Sequence, residues 1–127
     1  MSFNVISSDF YTDKIYKHDG FSSIILDSFS SPSFTPHDLA WDGTNLYSTD
    51  GYTNKIYKHD GFSNTIIDSF SMGAIVTPHG LAWDGSNILL SYSSIEDKIY
   101  KHDGFSAAIT DSFVSVTLRR SLDWGGG

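Results

Sequence analysis

The nine-residue phrase KIYKHDGFS occurs three times in this chain, at residues 14–22, 55–63 and 98–106. Lys14, Lys55 and Lys98 open the copies at spacings of 41 and 43 residues. The likeness extends outward, so that residues 35–70 (TPHDLAWDGTNLYSTDGYTNKIYKHDGFSNTIIDSF) match residues 77–113. Self-similarity at this period requires like units that stack on one another, as propeller blades or helical repeats do. Each unit places Asp-Gly pairs between short runs of Ile, Tyr, Phe, Thr and Trp, with no stretch of 3.6-residue periodicity. That local pattern excludes helical repeats.

Four strands fit each unit. In the middle one, strand A spans 37–41 and closes on the turn Asp42-Gly43-Thr44-Asn45. Strand B spans 46–49, a loop through Gly51 and Asn54 leads to strand C at 55–59, and Asp60-Gly61 predicts a tight hairpin into strand D at 65–70. The expected fold is all-β, a β-propeller with three four-stranded blade equivalents, each burying both faces against its neighbours. Strands such as KIYK and TIID accordingly lack one clean polar face.

The units do not fall evenly on the chain. Blade 2 occupies 35–70 and blade 3 occupies 77–113, but residues 4–29 supply only strands B to D of blade 1. The missing strand A is found at 117–126, where Trp124 follows Trp83 and Trp41 at spacings of 41 and 42. Residues 1–127 thus read as a half-propeller with one blade split between the chain ends. Propellers close with roughly four to eight blades, and exposed strand edges are avoided. The expectation is a homodimer forming one six-bladed ring, each C-terminal strand A completing the partner's first blade by strand exchange.

Charge narrows the partners. Eight Lys plus Arg against fifteen Asp plus Glu give a formal charge of -7, which argues against nucleic acid and anionic membrane as partners. There is no cysteine, no apolar run approaching the roughly 20 residues of a membrane span, and no basic or apolar leader in MSFNVISSDF. Cytoplasmic synthesis is the default expectation, and no cofactor is implied.

The segments PHGLAWDGSNILL and PHDLAWDGTNLYSTDGYTNKIYKHD resemble the repeats of six-bladed propellers of the NHL and YWTD type. In those repeats a Pro-x-Gly-φ-Ala strand, φ being apolar, leads through a turn into the next two strands. Asp38 departs from the pattern where Gly80 keeps it, and Leu118-Arg119-Arg120-Ser121 replaces the Pro-His strand start. The WD-repeat family matches less well, because Trp-Asp here belongs to the turn after strand A. The resemblance implies that strand A lines a central channel and that the D-to-A and B-to-C loops form a ligand-binding top face. It would put His37, Asp38, His79, Gly80, Arg119 and Arg120 at the channel mouth. Asp9, Tyr11, Asp13, Asp50, Tyr52, Asn54, Tyr92, Glu96 and Asp97 would surround them.

Three chemistries suit that mouth. The imidazoles of His37 and His79 with Arg119 could form an anion site, cap the channel through hydrogen bonds, or, with fewer suitable neighbours, hold zinc. The His-Asp pairs at 18–19, 59–60 and 102–103 are read as turn chemistry, because adjacent strand residues point to opposite faces and no serine is evident to complete a catalytic set. Trp41, Trp83 and Trp124 with Tyr16, Tyr57 and Tyr100 are read as packing between blades, which leaves Tyr11 and Tyr52 as the aromatic ligand contacts. The expected function is a non-catalytic ligand-binding or structural module, its ligand a glycan, a small anion or a protein. The alternatives are a propeller hydrolase or lactonase-like metal-dependent enzyme, poorly served by one glutamate, Glu96, and a propeller fragment without a dedicated ligand.

Overall fold

The computed structural model describes residues 4–9, 11–71, 77–93, 98–114 and 122. They form eleven strands in three antiparallel sheets. The first holds β1 (Ile6–Asp9), β2 (Lys14–His18) and β3 (Ile25–Ser30). The second holds β4 (Pro36–Trp41), β5 (Leu46–Asp50), β6 (Lys55–His59) and β7 (Ile66–Ser71), paired in that order. The third repeats it with β8 (Thr77–Trp83), β9 (Ile88–Ser93), β10 (Lys98–His102) and β11 (Ile109–Val114). Most strand bounds agree with the sequence reading to within one residue.

One hairpin departs from it. Asp60-Gly61 does not make a two-residue turn, because residues 60–65 all lie between β6 and β7. The loop is closed by the Asp60 amide donating to the Thr65 carbonyl at 2.8 Å, and the Asn45 side chain accepts from the Gly61 amide at 2.9 Å. Gly61 has φ +63°, the left-handed region that glycine enters without strain. The extra length lifts Phe62 clear of its own sheet. Asn4 and Asn87 hold Gly20 and Gly104 in the same way, at 3.0 and 2.9 Å.

Burial follows position across the sheet. Every residue of β5 is buried, whereas every residue of β11 is exposed. The core lies between the second and third sheets, where Tyr47 and Ile56 meet Leu81, Ile88 and Leu90. Tyr47 stacks on Trp83 at 5.3 Å between centroids and an 18° interplanar angle, and its hydroxyl donates to Asp42 at 2.6 Å. Side-chain hydroxyls link successive sheets, from β1 to β4 and from β5 to β8: Ser8 donates to the His37 carbonyl at 3.4 Å and Thr49 to the His79 carbonyl at 3.5 Å.

Candidate functional site: the strand-A mouth and the sheet faces

β4 and β8 each carry a β-bulge at the residues of interest. Register shifts between Pro36 and Leu39 in β4, and between Pro78 and Gly80 in β8. A bulge bends its strand and re-aims a side chain, here those of the His37-Asp38 step. The bulged amides are held by hydroxyls of the next strand, Asp38 by Thr49 at 3.0 Å and Gly80 by Ser91 at 3.1 Å. The His37 and His79 rings meet edge to face at 4.7 Å, so the two histidines are brought together.

Asp38 is engaged by backbone. One carboxylate oxygen accepts from the Leu39 amide at 2.9 Å; the other accepts from Leu81 at 2.9 Å and Leu122 at 3.4 Å. The Asp38 carboxylate thus bridges the two histidine-bearing strands β4 and β8. Arg119 and Arg120, like Glu96, Asp97 and Trp124, lie outside the described residues, and Tyr92 is described in its backbone alone.

The remaining candidates separate cleanly. Asp50 is 1 % exposed, and its oxygens accept from the amides of Thr35, Tyr52 and Thr53. Its carboxylate thus closes the loop that follows β5. Asp9 holds the Tyr11 amide likewise at 2.8 Å. Asp13 and Asn54 take φ of 58° and 56°, left-handed turn positions that these residue types tolerate. Tyr11 and Tyr52 are 91 % and 68 % exposed. Tyr52 packs edge to face against Phe34 at 5.3 Å, a contact that the sequence reading missed because Phe34 lies outside the repeated phrase.

Serines meet two of the three repeated histidines. Ser7 lies 2.9 Å from His18 Nε2 and Ser48 lies 2.9 Å from His59 Nε2, each pair eleven residues apart on adjacent strands. His59 Nδ1 lies 2.6 Å from the Ser63 carbonyl. Ser48 and His59 are fully buried, and Leu90 takes the serine position in the third unit, so the arrangement belongs to packing. Burial lowers the pKa of His59 and His102, opposed by their bonds to the carbonyls of Ser63 and Ser106. Among the described residues no group of three or more His, Cys, Asp or Glu is placed to hold a metal.

The most regular feature lies between the sheets. Phe29 of the first sheet packs on His59 at 5.4 Å and on Phe62 at 4.7 Å, both from the second. Phe70 of the second packs on His102 at 5.4 Å and on Phe105 at 4.8 Å, both from the third. Like antiparallel sheets joined face to face through one repeated contact are the arrangement of propeller blades. These sheets are propeller blades.

The comparisons agree at the level of fold. The chain is similar to the solved structures of U3-55K (TM-score 0.66, 17 % identity, 95 % of this chain and 39 % of that one) and of Myxococcus xanthus glutaminyl cyclase (0.67, 13 %, 86 % and 45 %). It is also similar to the WD40 domain of Toxoplasma gondii coronin (0.62, 9 %, 87 % and 30 %). The chain spans less than half the length of each. No family model and no curated protein sequence matches it. WD40 domains stand among the structural matches, so the likeness is to propeller blades in general and does not single out the NHL and YWTD type.

The aromatic joint also identifies the two outward faces. Phe113 of blade 3 occupies the position of Phe29 and Phe70 but is 61 % exposed. Phe21 of blade 1, equivalent to Phe62 and Phe105, is 92 % exposed. Beside Phe113 a cleft of about 330 Å³ is lined by Leu89, Ile99, Tyr100, Lys101 and Leu122.

Proposed function

We propose that the protein is a non-catalytic propeller module whose ring is closed by a second copy of the same chain. The carrying observation is the Phe-His-Phe joint, used twice within the chain and left half-made at each end. Phe113 would pack on the partner's His18 and the partner's Phe21 as Phe29 and Phe70 pack on their neighbours. Buried aromatic pairs contribute about 0.5 to 1.5 kcal/mol each beyond area burial, and the symmetric dimer makes the joint twice. Three blades per chain then give a six-bladed ring, the number found in the NHL and YWTD propellers that the Pro-x-Gly-φ-Ala motif resembles. The C-terminal strand A, 117–126, would complete the partner's blade 1, split from 4–29.

A binding role suits the top face, where Tyr11 and the Phe34–Tyr52 pair offer exposed aromatic surface to a glycan or a protein loop. An enzymatic reading finds less support, because the buried Ser48–His59 pair has no route to a substrate and is not kept in the third unit. Light scattering on the eluting protein should give twice the 14.1 kDa chain mass. A monodisperse species of one chain mass would overturn ring closure by a second copy.

A further inference from the structure

We propose that the backbone amides of Leu39, Leu81 and Leu122 form an anion cradle in the channel, with Asp38 as its resident ligand, and that this occupancy keeps small carboxylates out of the mouth. Converging backbone N–H groups are an established means of holding an anion. Here the anion is covalently supplied: three amides from three separate segments reach one carboxylate, at 2.9, 2.9 and 3.4 Å. The bulge that aims the side chain is itself fixed, since the Asp38 amide is bound to Thr49 Oγ1 at 3.0 Å. The repeat supplies an internal contrast. Gly80 stands at the equivalent position of blade 3, so a carboxylate is not demanded by the blade.

Two consequences separate this from the anion-site reading of the sequence. Small anions meet a filled cradle and a negative charge beside the paired rings of His37 and His79. Emptying the cradle creates a site of carboxylate shape, so Asp38→Gly should take up formate or acetate where the native chain does not. The Leu39 and Leu81 amides lie in blades 2 and 3 of one chain, so these two contacts do not depend on ring closure.

The test is a formate titration of wild type and Asp38→Gly, followed by melting temperature with sodium chloride at matched ionic strength as control. A ligand that binds the native state raises the melting temperature. Formate should stabilise the variant in a saturable way, with an apparent affinity at least about tenfold above that for wild type, a difference readily read as a displaced titration midpoint. Equal responses of the two proteins, or none beyond the chloride control, would overturn the cradle. Should Asp38→Gly fail to fold, the near-isosteric Asp38→Asn supplies the answer by NMR. Replacing a charged acceptor with a neutral one weakens hydrogen bonds, so the amide protons of Leu39, Leu81 and Leu122 should all move upfield. If they keep their wild-type positions, the carboxylate is not their ligand.

Discussion

His59 and His102 are fully buried, and each packs beneath a phenylalanine of the preceding blade. Their folded pKa values lie below the ordinary 6.5, chiefly through burial. The neutral form is therefore the folded form, and the stability it confers is complete above the unfolded pKa and lost as pH falls through the folded values. Urea midpoints should fall between pH 7.5 and pH 5.5, and His59→Gln should lessen the slope; a midpoint indifferent to pH over that range would contradict neutral burial. Asp42 and Asp84 do not act in this window. Burial opposes their ionisation, but hydrogen bonds from Asn45, Tyr47 and Thr44 to Asp42, and from Ser86 and Asn87 to Asp84, more than offset it and hold both below the usual carboxylate range. At this scale the sequence was only partly legible. That His37 and His79 share a position follows from the repeat, but the roles of Asp38 and Asp50 depend on which amides their oxygens reach. Such cross-strand and cross-blade contacts have no signature in spacing.

The elements were more legible than the contacts between them. Short runs of Ile, Tyr, Phe, Thr and Trp bounded by Asp-Gly pairs located β4 to β7 to within a residue, because strand identity is a local property. The loop from β6 to β7 was misread as a tight hairpin, since Asp-Gly is the usual signal for one. What the pair does here is begin a loop that carries Phe62 to the neighbouring blade. Its identity in all three copies was the available clue, for a turn alone does not require the phenylalanine that follows each time. The joint makes a prediction for the strands that carry it. Phe70→Ala removes a half-buried ring between blades 2 and 3 and should lower the stability of the chain, toward the lower end of the roughly 3 to 5 kcal/mol typical of a buried phenylalanine. Phe113→Ala, at the same position in β11, removes an exposed ring and should leave blade structure intact by circular dichroism while weakening self-association. Phe21→Ala should match Phe113→Ala. If instead the Phe113 and Phe21 variants elute like wild type, the outward faces do not join.

For the molecule as a whole, the question is whether three blades have a stable closed form without a partner. The second blade is covered on both sides and contains the most deeply buried strand, β5, whereas blades 1 and 3 each have one neighbour and leave Phe21, Phe113 and Val114 exposed. A second copy would give every blade two neighbours, so association and stability are linked by mass action. The single chain should accordingly melt at higher temperature as its concentration is raised. Two copies joined in tandem by a flexible Gly/Ser linker convert the second association into an intramolecular one, with an effective concentration in the millimolar range for a short linker that spans the gap. The tandem protein should melt at a temperature independent of concentration and above that of the dilute single chain. Inserting Phe113→Ala into only one of its two copies should cost less than the same change in both, because the proposed ring would have two seams of this kind. A tandem chain that still associates into larger species, or that melts no higher than the dilute single chain, would show that the two outward faces do not close on each other, and three further blades would have to be sought in a different partner.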